Sequence, residues 1–128
     1  MEVIDLRVLR PLNLQVIRTS VQKTGRLLVV DTGHRMLGMG AEILASLVEQ
    51  DFQHFTAPPR RLGLPDRPNA SSPSLAGSYY PRAEDVATEI AGMLSVSDDD
   101  QRRVAKELAS RRGDLPLDVP DPTFVGPF

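Results

Sequence analysis

The chain has 128 residues, enough for one hydrophobic core but not two. Its 41% apolar and 25% charged residues are ordinary for a globular domain, and a net charge of −2 excludes the broad basic face that nucleic acid or an anionic membrane would need. It has no cysteine, no membrane-length apolar run and no apolar leader after Met1, so disulfides, a thiolate nucleophile and a membrane span are excluded and the cytoplasm is the expected compartment.

In chain order, Val3, Ile4 and Leu6 suggest a strand over residues 2–6. Asn13 is placed to cap a helix whose buried face is Leu14, Ile17 and Val21, with Gly25 as its left-handed stop. The unbroken apolar run over 27–30 reads as a strand covered on both faces. A glycine turn follows, then a helix over about 41–52 that turns Ile43, Leu44, Leu47 and Val48 inward, with Phe52 at its end. A short strand is expected at 60–64, and proline punctuates a loop over 66–80. A helix over 83–94 buries Val86, Ala87, Ile90 and Ala91. The next begins at Ser97, capped through Asp100, with Asp98 and Asp99 at its positive end and only Val104 and Leu108 as an apolar face. Residues 114–128, with four prolines, are expected to be extended. Alternating strands and helices imply an α/β layered domain with a mainly parallel sheet.

The segment Gly33-His-Arg-Met-Leu-Gly-Met-Gly40 is the one place that invites a phosphate. It fails the P-loop template, because Met39 and Gly40 stand where Lys and Ser or Thr are required after Gly38. It fails the dinucleotide fingerprint because Ile43 occupies the third glycine position. Two readings stay open. Gly38 and Gly40 allow close packing of helix, strand or subunit, the preferred reading; or the helix N-terminus at Ala41, with His34 and Arg35, binds an anion. The two histidines, His34 and His54, have no metal-ligand spacing, no nucleophile elbow surrounds Ser46, and the acids at 98–100 are accounted for by the helix dipole. Arg7, Arg10, Arg60 and Arg61 are basic points for solvent or a subunit boundary.

Several stretches together resemble a known family: 3–7, 9–13, Thr24-Gly-Arg-Leu-Leu-Val-Val-Asp31, Gly38-Met-Gly-Ala-Glu-Ile43, Leu64-Pro-Asp66 and Tyr80-Pro-Arg-Ala-Glu-Asp-Val86. Over about residues 2–94 the chain is similar to the transketolase C-terminal domain. It looks most like that domain in the E1 β subunit of thiamine-diphosphate-dependent 2-oxoacid dehydrogenases acting on pyruvate or branched-chain substrates. The resemblance implies a three-layer, doubly wound, mostly parallel sheet of about five strands with one antiparallel edge. The family's opening strand and helix are absent here, which suggests a fragment or split subunit. With the residue reading of the later segments, the expected division is a family domain over 1–95, a peripheral helix over 96–113 and an extended tail over 114–128.

The parent enzyme, by this resemblance, decarboxylates a 2-oxo acid and passes the acyl group to lipoamide. Its thiamine diphosphate and magnesium lie in other domains, and no family cofactor contact maps onto this chain. The chain is then expected to bind no cofactor, to be inactive alone and to supply subunit contacts. Expected partners are a second copy of itself, an E1 α-type subunit and the acyltransferase core. The interface candidates are Gly38, Met39, Gly40, Glu42, Tyr79 and Tyr80. The alternatives are an anion- or effector-binding module using the Ala41 helix terminus, and the C-terminal domain of a transketolase- or 1-deoxyxylulose-5-phosphate synthase-like enzyme.

Overall fold

The computed structural model describes residues 1–68, 72 and 79–112. They fall into two compact units, Met1–Gly63 and the described part of Leu64–Phe128. The first contains α1 (Leu14–Thr24), β1 (Leu28–His34) and α2 (Met39–Asp51), then a 3-10 turn (Phe52–His54) that leads into β2 (Arg60–Leu64). The second holds α3 (Ala83–Leu94) and α4 (Asp98–Arg112).

The α/β class with a parallel sheet holds, as a partial domain. Among the described residues the sheet has two strands, β1 beside β2, fewer than the five implied by resemblance. Residues 2–6 form no strand. A strand exists only through a neighbour's hydrogen bonds, and here Ile4 and Leu6 turn inward while the backbone meets no ladder. The segment is instead moored to α1 by an ion pair of Lys23 Nζ with Glu2 Oε1 at 2.5 Å. Beyond it the Arg10–Pro11 peptide is cis, in a turn whose ends, Leu9 and Leu12, form one antiparallel bridge.

The core of the first unit is Ile17 and Val21 of α1 against Ile43 and Leu47 of α2. Leu6, Leu12, Leu27, Val29, Met39 and Phe55 close around it. Helical spacing of 4 residues puts each pair on one face, so both helices bury a stripe. α1 stops as expected: Gly25 takes φ 67° and donates its N–H to the Val21 carbonyl. A side chain there would also strike Thr56, whose N–H bonds the Gly25 carbonyl at 2.8 Å. Asn13 occupies the N-cap position but makes no side-chain cap bond.

β1 is longer than expected, and its exposure alternates from Val29 onward. Val29, Asp31 and Gly33 are partly buried while Val30, Thr32 and His34 are exposed. The apolar run 27–30 suggested two fully covered faces, but Leu27, Leu28 and Val29 are only partly buried and Val30 is exposed. α2 starts two residues earlier than expected, at Met39, and Phe52 falls in the 3-10 turn, 70% exposed, instead of closing the buried stripe.

In the second unit α3 packs on α4. Asp85 accepts the Arg82 N–H at 2.8 Å, satisfying a donor at the start of α3, and Ser95 ends it at φ 54°. Ser97 Oγ accepts the Asp100 N–H and donates to its carboxylate, so the expected Ser-x-x-acid cap forms. The half-covered stripe of α4 is Gln101, Ala105 and Leu108; Val104, expected there, points outward at 42% exposure. Ion pairs Asp99–Arg102, Asp100–Arg103 and Glu107–Arg111 line its solvent side. The tail expected over 114–128 lies outside the described residues, as does most of the 66–80 loop.

Candidate functional site

The glycine turn leaves β1 at His34 and enters α2 at Met39. Its shape has three causes. Gly33 N–H donates to Asp31 Oδ1 at 2.9 Å, folding the strand end back on its own side chain. Arg61 of β2 reaches across to donate from Nη1 to the Arg35 carbonyl at 2.7 Å. Leu37 adopts φ 57°, a left-handed conformation uncommon for a bulky residue.

Both turn glycines are explained by space. A Cβ at position 38 would overlap the carbonyl oxygen of His34, so the loop closes on itself only with glycine there. At position 40 a Cβ would sit 3.3 Å from Val29 Cγ1, the approach of α2 onto β1. Ala41 N–H is already bonded to the Gly38 carbonyl at 2.9 Å. Asp31 Oδ2 lies 3.8 Å from the position of that Cβ on Gly38, and Glu42 adds a second carboxylate in the first turn of α2. These charges oppose an anion at the helix terminus. His34 and Arg35 are both exposed beside the turn.

The other residues singled out as interface candidates belong to both units. Met39 is partly buried against the core, and Glu42 is exposed with its carboxylate accepting from Ser46 Oγ at 3.2 Å. In the second unit Tyr79 is buried, its hydroxyl donating to the Arg67 carbonyl at 3.2 Å, with the Arg67 guanidinium 5.8 Å from its ring centre. Tyr80 packs edge-on against it, with ring centroids 5.1 Å apart, and stays 40% exposed.

At the opposite end of α2 lies a polar cluster missed by the reading of the sequence. Asp51, 1% exposed, accepts from Arg18 Nε at 2.7 Å, Arg18 Nη2 at 3.3 Å and Gln22 Nε2 at 3.2 Å. The Arg18 bonds, helped by Gln22 and the nearby charge of His54, hold its carboxyl below the ordinary aspartate value despite burial. One signal was present: an acid in the last turn of a helix, with no basic residue there, opposes the dipole and calls for a cation from elsewhere. The partner, 33 residues away, was not legible from spacing.

Among the described residues no three His, Asp or Glu side chains are grouped to hold a metal ion. No described helix is long and apolar enough to cross a membrane.

A parallel strand–turn–helix–strand unit, with the turn opening the second helix, defines an α/β domain. The model of the transketolase C-terminal domain matches residues 1–86. The chain belongs to that family. It is 40% identical over 85 residues to the mitochondrial pyruvate dehydrogenase E1 component subunit beta-1 of rice, covering 66% of this chain and 23% of that protein. It is 38% identical over 95 residues to the mitochondrial E1 subunit beta of Chaetomium thermophilum, covering 74% and 25%. To the 2-oxoisovalerate dehydrogenase subunit beta of Pseudomonas aeruginosa it is 36% identical over 95 residues, covering 74% and 27%. The chain thus spans about a quarter of the length of these relatives.

These names overturn the cytoplasmic expectation, since relatives from rice, pea and Arabidopsis are mitochondrial. Lack of cysteine removes disulfides in every compartment, so it never discriminated among them.

Proposed function

We propose that this chain is the C-terminal assembly domain of an E1 β-type subunit of a 2-oxoacid dehydrogenase. The parent enzyme carries out thiamine-dependent oxidative decarboxylation; this chain supplies subunit contacts and no catalytic group. The observation that carries the reading is the family match over residues 1–86 together with 40% identity to an E1 β subunit. The family domain is taken as 1–95, with the Gly38–Gly40 region and the Tyr79–Tyr80 pair as contact regions. The principal partner is an E1 α-type subunit; a second copy and the acyltransferase core are further contacts. Thiamine diphosphate and magnesium belong to the parent enzyme, outside this chain. The relatives support both pyruvate and branched-chain parents, so the substrate class is a 2-oxo acid.

Calorimetric titration of the full chain with thiamine diphosphate and magnesium tests this. No heat of binding is expected, and micromolar affinity would overturn the accessory role. The anion-site alternative has no observation in its favour beyond the helix terminus itself.

A further inference from the structure

Leu37 is 94% exposed, yet its backbone holds φ 57°, a left-handed conformation that disfavours leucine. Such strain persists only where the surrounding structure over-determines it. With its side chain in solvent, Leu37 contributes no packing of its own to the hold. The hold comes from the chain on either side. After Leu37, Gly38 closes against the His34 carbonyl, and its own carbonyl accepts the Ala41 N–H at 2.9 Å. Before it, the Gly33 N–H is bound to the Asp31 carboxylate.

β2 supplies the rest. Arg61 Nη1 donates to the Arg35 carbonyl at 2.7 Å, a charge-assisted bond. Gly63 follows two residues on, on the same side of the strand. A Cβ there would stand 3.0 Å from the Gly33 carbonyl oxygen and 3.5 Å from the backbone of Arg35. The end of β2 therefore grips residues 33–35 twice, by a bond and by close backbone contact. The start of α2 depends on that grip, because Gly38 at its N-cap offers no side-chain cap bond. Met39, the first residue of the helix, already packs on the core, so the turn links β2 to the beginning of α2.

We propose that Arg61 and Gly63 form a latch that gives the β1–α2 turn two states. In the latched state Leu37 is left-handed and α2 begins at Met39. In the released state Leu37 returns to negative φ and the first turn of α2 loosens, while Ile17, Val21, Ile43 and Leu47 stay packed. The bond to be broken is a single one to a neutral carbonyl, weaker than a paired carboxylate, which suits a hold that opens without unfolding. The latch lies wholly within the first unit and stands independently of the assembly role.

Amide hydrogen exchange of the full chain, read residue by residue by NMR, tests it. Gly33 and Ala41 report on the turn, and Gly25, bonded to the Val21 carbonyl at the end of α1, reports on the rest of the unit. Arg61→Met keeps the aliphatic stem and should speed exchange at Gly33 and Ala41 by about ten-fold or more, the loss of one charge-assisted hydrogen bond. Gly25 should be unchanged. Gly63→Ala should act in the same direction. Leu37→Gly removes the strain that the latch holds, so adding Arg61→Met to it should speed exchange only about two- to three-fold. Unchanged exchange at Gly33 and Ala41 in Arg61→Met overturns the latch. So does equal acceleration with and without Leu37→Gly, since Arg61 then holds no strain. Acceleration at Gly25 matching that at the turn also overturns it, as the mark of general unfolding.

Discussion

The two ends of α2 are built on opposite terms. At its C-terminus a charged residue is buried: Asp51 is enclosed and held by Arg18 and Gln22. At its N-terminus apolar residues are exposed: Leu37 and Met36 stand in solvent on a turn that tolerates strain. Between them Ile43 and Leu47 are buried against α1, so both ends are anchored in one core. Each end reverses the usual rule that charge faces water and apolar groups face inward, and for different reasons. The buried charge has its partners within the chain, on α1, and joins the two helices. The exposed apolar pair has no partner within its own unit, which is the pattern of a surface that is completed by association.

Leu47→Ala removes the support common to both ends and should lower unfolding free energy by about 2–5 kcal/mol in urea titration. A loss well below that would mean the helix ends are held independently of the core. Arg18→Met comes next. It strands the Asp51 carboxylate in a buried site and should lower the thermal midpoint by several degrees, more than the double variant Arg18→Met with Asp51→Leu. If the double variant were the less stable, the pair would be contributing net stability and not mainly register.

At the other end, Gly38→Ala forces a side chain against the His34 carbonyl and should cost about 1–3 kcal/mol, as overpacking does. Gly40→Ala meets only Val29 Cγ1 at 3.3 Å and should cost clearly less, since a methyl group can yield where a backbone oxygen cannot. Equal costs would show that the turn, unlike the helix–strand contact, adapts freely.

Acid separates the ends most selectively. The folded Asp51 carboxyl lies below the ordinary value of 3.8, so its contribution is present above that value and is lost as pH falls through the lower folded value. Asp51→Asn should therefore flatten this acid limb of the stability curve, while Leu37→Asn leaves it unchanged. The smallest effect belongs to the exposed Glu2–Lys23 pair. There Glu2 is lowered by the Lys23 ammonium and Lys23 raised by Glu2. Glu2→Gln should shift the midpoint barely at all, and less still at high salt.

Elements with local causes were legible. Ile17, Val21, Ile43 and Leu47 repeat at helical spacing, and all four became the core. Gly25 stops α1 and Ser97 with Asp100 caps α4, because these signals act over one turn of chain. What depended on a neighbour was less secure. Residues 2–6 have strand-forming side chains, but a strand needs a partner ladder and none forms on them. The run 27–30 looks buried on both faces, yet burial belongs to whatever covers a strand, and Val30 is 49% exposed. On α4, Ala105 replaced Val104 on the covered stripe, because α3 decides which side of a weakly amphipathic helix is inside. At the glycine turn the close-packing role of Gly40 could be read, but its contact, Val29, could not.

By itself, then, the amino-acid sequence determined the helices, the inward stripes of α1 and α2, the α/β class and the family, since periodicity, capping and motif order are properties of short stretches. Tertiary structure alone decided that Asp51 would be buried on Arg18, that Arg61 would brace the turn and that Leu37 would stand clear of the core. Each joins residues distant in the chain or sets a backbone angle against the residue's own preference. Only the balance of surrounding contacts can fix either one.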